Sequence, residues 1–135
     1  MNHWLLKSDP ETYGLDDLER DKKTVWDGVR NNQALQYMRQ MKKGDAVLIY
    51  HSGDDKCILC LAEVARGPYS DPKETDEKLV VIDLVFKRRL PTPVTLAQIK
   101  ADARFSEFAL VRLSRLSVMP VPEATWDALC TMAGL

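Results

Sequence analysis

The sequence predicts an α+β domain built on a small, strongly curved, mostly antiparallel sheet or barrel with flanking helices. Strand-like apolar runs recur between residues 3 and 121, and four segments carry apolar residues at helical spacing. Neither a repeat nor a linker-like stretch divides the chain. With 135 residues, it suits a single domain over residues 1–135.

The first elements are short. Residues 3–7 read as a strand that ends before Pro10, since proline has no amide proton for a sheet ladder. Residues 15–20 predict one or two helical turns, and residues 25–26 an extended stretch before a bend at Gly28. A helix is predicted over residues 31–41, where Asn31 or Asn32 can cap the free amides and Gly44 ends the segment. Its apolar stripe consists of Ala34, Leu35, Met38 and Met41.

The middle of the chain favours strands. Residues 45–51 and 57–66 are joined by a four-residue turn that is typical of a hairpin. A polar loop rich in acidic residues is predicted over 67–78, and a long strand over 79–90. A short helix over 95–101 and a strand over 116–121 follow. Pro122 then suits the first turn of a closing helix that Gly134 ends.

Composition and charge exclude some classes of function. The 19 basic and 20 acidic residues give a net charge of −1, which argues against a general DNA coat protein. Three cysteines, Cys57, Cys60 and Cys130, fit a reducing cytoplasm. Since no signal peptide or membrane-length apolar run is present, we expect a cytoplasmic protein without membrane contact, and a monomer.

Motifs for catalysis or metal binding are weak. Cys57 and Cys60 have C-x-x-C spacing, but on a strand residues three apart face opposite sides of the sheet and cannot share a metal. His51 and Ser52 are neighbours on a strand and point apart. We therefore predict no catalytic residue, metal or cofactor. One alternative stays open, namely a small hydrolase of modified nucleosides or amides with His51 or Asp83 as the base.

The segment of residues 26–34, WDGVRNNQA, has unusual chemistry. It places the flat face of Trp26 beside polar groups at the start of a helix. Arg30, Asn31 and Gln33 can each read the edge of a planar ring or hold an anion. This combination suits a nucleobase that stacks on the indole. Trp26 as core filler and Asn31 as a simple helix cap are the structural alternatives.

The same segment carries a family resemblance. It follows Trp4 and KSDP at 7–10, and it precedes YHS at 50–52. Further matches in order are MKKGD at 41–45, IDL at 82–84, PVTL at 93–96, IK at 99–100, RLSV at 115–118 and PV at 120–121. Together these motifs resemble the EVE domain, which is similar to the YTH domain, over essentially the whole chain.

The resemblance implies a PUA-like fold of five or six strands, and a non-catalytic reader of a modified or flipped base such as 5-methylcytosine. Trp26 would form the first wall of the base pocket, Ser8 would present main-chain groups to the base edge, and Asn31 would be the polar reader. The pocket floor would consist of Tyr50, His51 and Ser52.

Two positions depart from the family pattern. Leu79 stands where a second tryptophan is usual, and Cys60 stands where glycine is common. Leu79 can pack against a base but has no π-face, so we predict weak discrimination between methylated and unmodified bases.

A nucleic acid strand also needs cations beside the pocket. The predicted phosphate contacts are Lys7, Lys42, Lys43 and Arg112. The acidic loop opposes a broad positive field, which predicts few phosphate contacts and a shallow salt dependence. We expect single-stranded or base-flipped nucleic acid as the partner, with a protein-interaction module as a further alternative.

Overall fold

The computed structural model describes residues 2–135. Its strands and helices cover most of this range. In chain order they are β1 (His3–Ser8), α1 (Leu15–Asp21), β2 (Lys23–Trp26), α2 (Asn32–Met38), β3 (Ala46–His51), β4 (Cys57–Ser70), β5 (Val80–Thr95), α3 (Leu96–Ala101), α4 (Ala109–Arg112), β6 (Val118–Pro120) and α5 (Glu123–Ala133). A single 3₁₀ turn at Ala103–Phe105 lies between α3 and α4.

The strands form one mixed sheet in the order β2-β5-β4-β3-β1-β6. This confirms the predicted α+β, PUA-like class with a mostly antiparallel sheet. The sheet is open, with β2 and β6 as its edges. In the described part of the chain, the one parallel pair joins β1 to β3, and the other four pairs are antiparallel. A parallel pair needs a long crossover, which the chain between β1 and β3 supplies through α1, β2 and α2.

The long β4–β5 pair corrects two predicted boundaries. β4 continues to Ser70, so the first residues of the predicted polar loop belong to a strand. β5 runs on to Thr95 through Pro91 and Pro93. Both prolines are tolerated because residues 90–93 oppose Leu59 alone, where the ladder is interrupted. Further register shifts along the pair add bends of the kind that give a sheet its curvature.

The predicted helix after β2 is confirmed but shorter. Asn31 is its N-cap, and the Asn31 side chain accepts a hydrogen bond of 3.0 Å from the Ala34 amide. The helix ends at Met38, and separate turns carry the chain to Met41, which is buried. The 3₁₀ turn and α4 were not predicted; they pack Phe105, Phe108 and Leu110 into the core.

The core lies between the sheet and the helices. Every fully buried side-chain nitrogen or oxygen among residues 2–135 has a hydrogen-bond partner. One such contact joins the Trp4 indole to the Asp45 carboxylate at the start of β1 and β3. Within the same range, no helix is both long and apolar enough to cross a membrane.

Candidate functional site

A cleft of about 600 Å³ opens where β1 ends and β2 turns toward α2. Its walls come from the end of β1, the turn before α1, the end of β2 and the loop that follows. Lys73 and Ser117, from two loops that are distant in sequence, complete the lining. The lining residues are Lys7, Ser8, Asp9, Thr12, Tyr13, Thr24, Val25, Trp26, Asp27, Gly28, Val29, Arg30, Lys73 and Ser117.

Trp26 is one of two aromatic residues that line the cleft, together with Tyr13. It is the last residue of the edge strand β2 and pairs with Ile82 of β5. Its side chain is half-buried and contacts the core on one side, so the indole is not sealed in the interior. The Tyr13 ring stands perpendicular to it at a centroid distance of 6.5 Å. The hydroxyl of Tyr13 donates a 2.8 Å hydrogen bond to Asp21, which holds this ring in place.

The loop after Trp26 forms a second wall. Gly28 has a φ of +78°, a left-handed conformation that residues with a side chain rarely adopt. The turn at Gly28 directs Val29 against the core and leaves Asp27 and Arg30 at the surface of the cleft. The sequence WDGVR thus places an aromatic face, a carboxylate and a guanidinium around one opening.

Ser8 lies at the end of β1 and is buried. Its hydroxyl donates to the carbonyl of Tyr13, and its own carbonyl accepts a 2.9 Å hydrogen bond from the Ser52 amide. The Ser8 hydroxyl oxygen can still accept a hydrogen bond from a ligand. This residue therefore offers an acceptor near the aromatic pair.

Three cations line the cleft, and each has a partner. The Nζ atom of Lys7 donates a 2.8 Å hydrogen bond to the Ser114 carbonyl and lies 5.8 Å from the Tyr50 ring centre. Burial lowers the pKa of this ammonium below its ordinary value. Arg30 instead forms an ion pair with Glu74, and Lys73 forms one with Asp27. The cleft is consequently polar at its rim without an excess of free positive charge.

The structure brings Lys7, Ser8, Trp26 and Arg30 together, and it places the other residues predicted to contact the base outside the cleft lining. Tyr50 is buried beneath Lys7. Ser52 supports the Ser8 backbone, and Leu79 packs against the core at the end of the acidic loop. Asn31 caps α2, and Gln33 is exposed on that helix. The assignment of these side chains to a base stays a prediction.

His51 is buried and held by two hydrogen bonds. Its Nε2 atom accepts a 3.0 Å hydrogen bond from the Leu15 amide, so the proton of the neutral ring is on Nδ1. Nδ1 donates to Asp55 at 3.1 Å. Asp83, the other base considered, is buried and accepts a 2.5 Å hydrogen bond from the Tyr69 hydroxyl. Neither residue lines the cleft.

The remaining predicted phosphate contacts lie away from the cleft lining. Lys42 and Lys43 precede β3, whereas the cleft lies beyond its other end. The length of β3 separates them by roughly 20 Å, at about 3.3 Å per residue. Arg112 ends α4 and forms an ion pair with Glu107. Only a ligand that extends well beyond one nucleotide would reach Lys42 and Lys43 from the cleft.

The cysteines do not form a metal site with other residues. Among residues 2–135 no group of three or more His, Cys, Asp or Glu side chains is arranged to hold an ion. Cys57 and Cys60 are both buried, and burial raises the pKa of the Cys60 thiol to about 12. A thiol with so high a pKa stays protonated and is a poor ligand or nucleophile near neutral pH.

Sequence reasoning missed several residues of the cleft. Tyr13 lies in the turn before α1, Lys73 in the acidic loop and Ser117 before β6. Each is a single residue in a loop, so no spacing pattern marks it. The nearest signal in the sequence is Ser8-Asp9-Pro10, which predicted that the first strand ends there in a turn. Tyr13 lies three residues after Pro10.

The cleft and the open mixed sheet define a small PUA-like domain with a half-buried aromatic pocket at one end of its strands. The EVE domain family matches residues 2–132, and the chain belongs to this family. Human thymocyte nuclear protein 1 is 29% identical over 93% of this chain and 71% of its own length.

Solved structures agree with this assignment. The NMR structure of Rpa0253 from Rhodopseudomonas palustris is 39% identical, with a TM-score of 0.94 over 99% of this chain and 94% of that one. Human THYN1 was solved in complex with DNA that contains 5-methylcytosine. It is 27% identical, with a TM-score of 0.90 over 100% of this chain and 99% of that one.

Proposed function

We propose that this protein is a non-catalytic nucleic-acid-binding module that takes one unpaired or flipped base into the cleft beside Trp26. The observation that carries the proposal is the half-buried indole, which lines a cleft of about 600 Å³. The complex of human THYN1 with 5-methylcytosine DNA supports it through a shared fold. A modified cytosine in DNA is therefore the first ligand to examine.

The size and chemistry of the cleft suit a single base. Small-molecule sites usually have volumes of roughly 300–1,000 Å³, and this cleft lies within that range. A base that stacks on an aromatic side chain gains about 1–3 kcal/mol. Ser8 offers an acceptor, and Arg30 offers donors near the same position.

The energetics favour single strands over intact duplexes. A base inside a duplex must first be flipped out, which costs a few kcal/mol, comparable with the stacking gain. An unpaired or mismatched base avoids this cost. The same preference for unpaired bases is expected in DNA and in RNA, because the proposed stacking and hydrogen bonds are to the base.

A substitution series at Trp26 tests the proposal. The probe is a short, fluorescein-labelled single-stranded DNA with one central 5-methylcytosine, and the readout is fluorescence anisotropy. Trp26→Ala should weaken binding by about 5- to 150-fold, the equivalent of 1–3 kcal/mol, whereas Trp26→Phe should retain much of the affinity because it keeps a π-face.

Trp126 provides a matched control. It is also half-buried, but it stacks on His3 at a centroid distance of 4.3 Å and lies on α5, outside the cleft lining. Trp126→Phe should leave DNA affinity unchanged, with circular dichroism confirming that all variants fold. Equal affinity of the wild type and Trp26→Ala would refute the pocket assignment. Binding of a partner that survives nuclease treatment and Trp26→Ala would indicate a protein-interaction module instead.

A further inference from the structure

The acidic loop, residues 71–79 between β4 and β5, is internally ordered. The Asp71 side chain accepts a 2.9 Å hydrogen bond from the Lys73 amide, and its own amide donates to the Leu79 carbonyl at 3.0 Å. The Asp76 side chain likewise accepts from the Lys78 amide at 2.9 Å. Since these contacts fix the backbone, the side chains at the loop tip are presented in defined directions.

Two ion pairs join this loop to the segment after Trp26. Arg30 contacts Glu74 at 2.8 Å, and Lys73 contacts Asp27 at 3.6 Å. The pairs have opposite polarity, so each segment contributes one cation and one anion. Arg30, Lys73 and Asp27 all line the cleft, which places both contacts at its mouth.

We propose that Arg30 and Lys73 form a phosphate subsite for the nucleotide bound at Trp26, and that Glu74 occupies this subsite in the free protein. The inference rests on the proposed function. A carboxylate and a phosphate present similar oxygen pairs to a guanidinium, so the two compete for the same face of Arg30. Nucleic acid binding then exchanges Glu74 for a backbone phosphate.

This competition between Glu74 and phosphate favours strands with a base bound at Trp26 over other polyanions. A polyanion that gains only the contact with Arg30 must displace Glu74 and obtains little net affinity. A strand whose base also stacks on Trp26 gains enough to make the exchange favourable. Glu74 therefore acts as an autoinhibitory group against nonspecific binding, which fits a protein whose net charge is −1.

A matched pair of variants tests the inference with the same labelled 5-methylcytosine DNA. Glu74→Gln and Glu77→Gln each remove one negative charge from the acidic loop, but Glu77 takes no part in either ion pair. Glu74→Gln should tighten DNA binding by about 1.4- to fivefold, the range expected for an exposed ion pair. Glu77→Gln should change it by less than half as much.

Two further measurements separate the subsite from a general charge effect. In an Arg30→Ala background, Glu74→Gln should give no more gain than Glu77→Gln, because the competing pair is already broken. Binding of the free nucleoside 5-methyldeoxycytidine, measured by Trp fluorescence, should be the same in the wild type and Glu74→Gln, since the ligand has no phosphate.

The outcomes are distinguishable. Equal gains from Glu74→Gln and Glu77→Gln, or a gain that also appears with the nucleoside, would overturn the subsite while leaving the Trp26 pocket intact. So would unchanged affinity in Glu74→Gln when Trp26→Ala still loses binding. If neither the wild type nor any variant binds the labelled DNA, the proposed function itself fails, and the subsite with it.

Discussion

Asp45 is a buried carboxylate that ties the start of β1 to the turn before β3. Its Oδ2 atom accepts hydrogen bonds from the Trp4 indole at 3.0 Å and from the Lys42 amide at 2.9 Å. Its Oδ1 atom accepts from the Asn2 amide at 3.2 Å. We expect Asp45→Ala to destabilise the protein strongly, because it removes both acceptor oxygens and all three hydrogen bonds at once.

The magnitude follows mainly from the Trp4 indole, because its hydrogen bond to Asp45 is buried whereas those from the Lys42 and Asn2 amides are only partly buried. Each buried donor left without a partner costs about 1–3 kcal/mol, and the Trp4 indole is almost fully buried. The Asn2 amide is near the surface and can bind water instead. With roughly 0.5–1.5 kcal/mol for each of the two partly buried bonds as well, Asp45→Ala should lower the free energy of unfolding by about 2–6 kcal/mol, a large part of the roughly 5–15 kcal/mol typical of a domain.

Asp45→Asn provides a graded comparison. Its amide oxygen can replace Oδ2 and keep the bonds from Trp4 and Lys42, but its NH₂ group then faces the Asn2 amide donor. The loss should be smaller, about 1–2 kcal/mol. Urea unfolding followed by circular dichroism measures both variants, with Asp54→Ala in the exposed turn after β3 as a control expected within about 0.5 kcal/mol of the wild type. A loss below 1 kcal/mol in Asp45→Ala would contradict this account of Asp45.

Two further predictions concern the cleft and its neighbour α2. Asn31→Ala should lower stability by about 1 kcal/mol through loss of the helix cap, whereas Asn31→Ser should restore the cap and bind the labelled DNA like the wild type. Reduced DNA affinity in the stable Asn31→Ser variant would instead support a role as base reader. Replacing 5-methylcytosine by cytosine should weaken binding by less than about fourfold, since one buried methyl contributes roughly 0.8 kcal/mol. The Tyr13 ring is perpendicular to Trp26 and cannot sandwich a base with it, so a preference above tenfold in a competition titration would contradict this geometry.

Local signals in the sequence were sufficient for most elements of the fold. The helix at Asn31 was predicted because a capping side chain precedes an apolar stripe, and both features act within a few residues. The parallel β1–β3 pair was missed because strand alternation is the same in parallel and antiparallel pairs. The extension of β5 through Pro91 was missed because a tolerated proline depends on a bulge that only the partner strand reveals.

The site shows the same division between local and distant information. Trp26 and Arg30 lie in one segment whose composition already indicated a flat aromatic face beside polar groups. His51 was predicted for the pocket floor, yet the backbone of Leu15 lies over it at the start of α1. Tyr50 and His51 are neighbours on β3 and face opposite sides of the sheet, but both are buried, because elements from elsewhere in the chain cover each face. Which residues of a central strand reach a cleft is therefore decided by what packs over them. At the end of β3, the chain that follows β1 packs over His51, and Tyr13 from this segment lies beside Trp26.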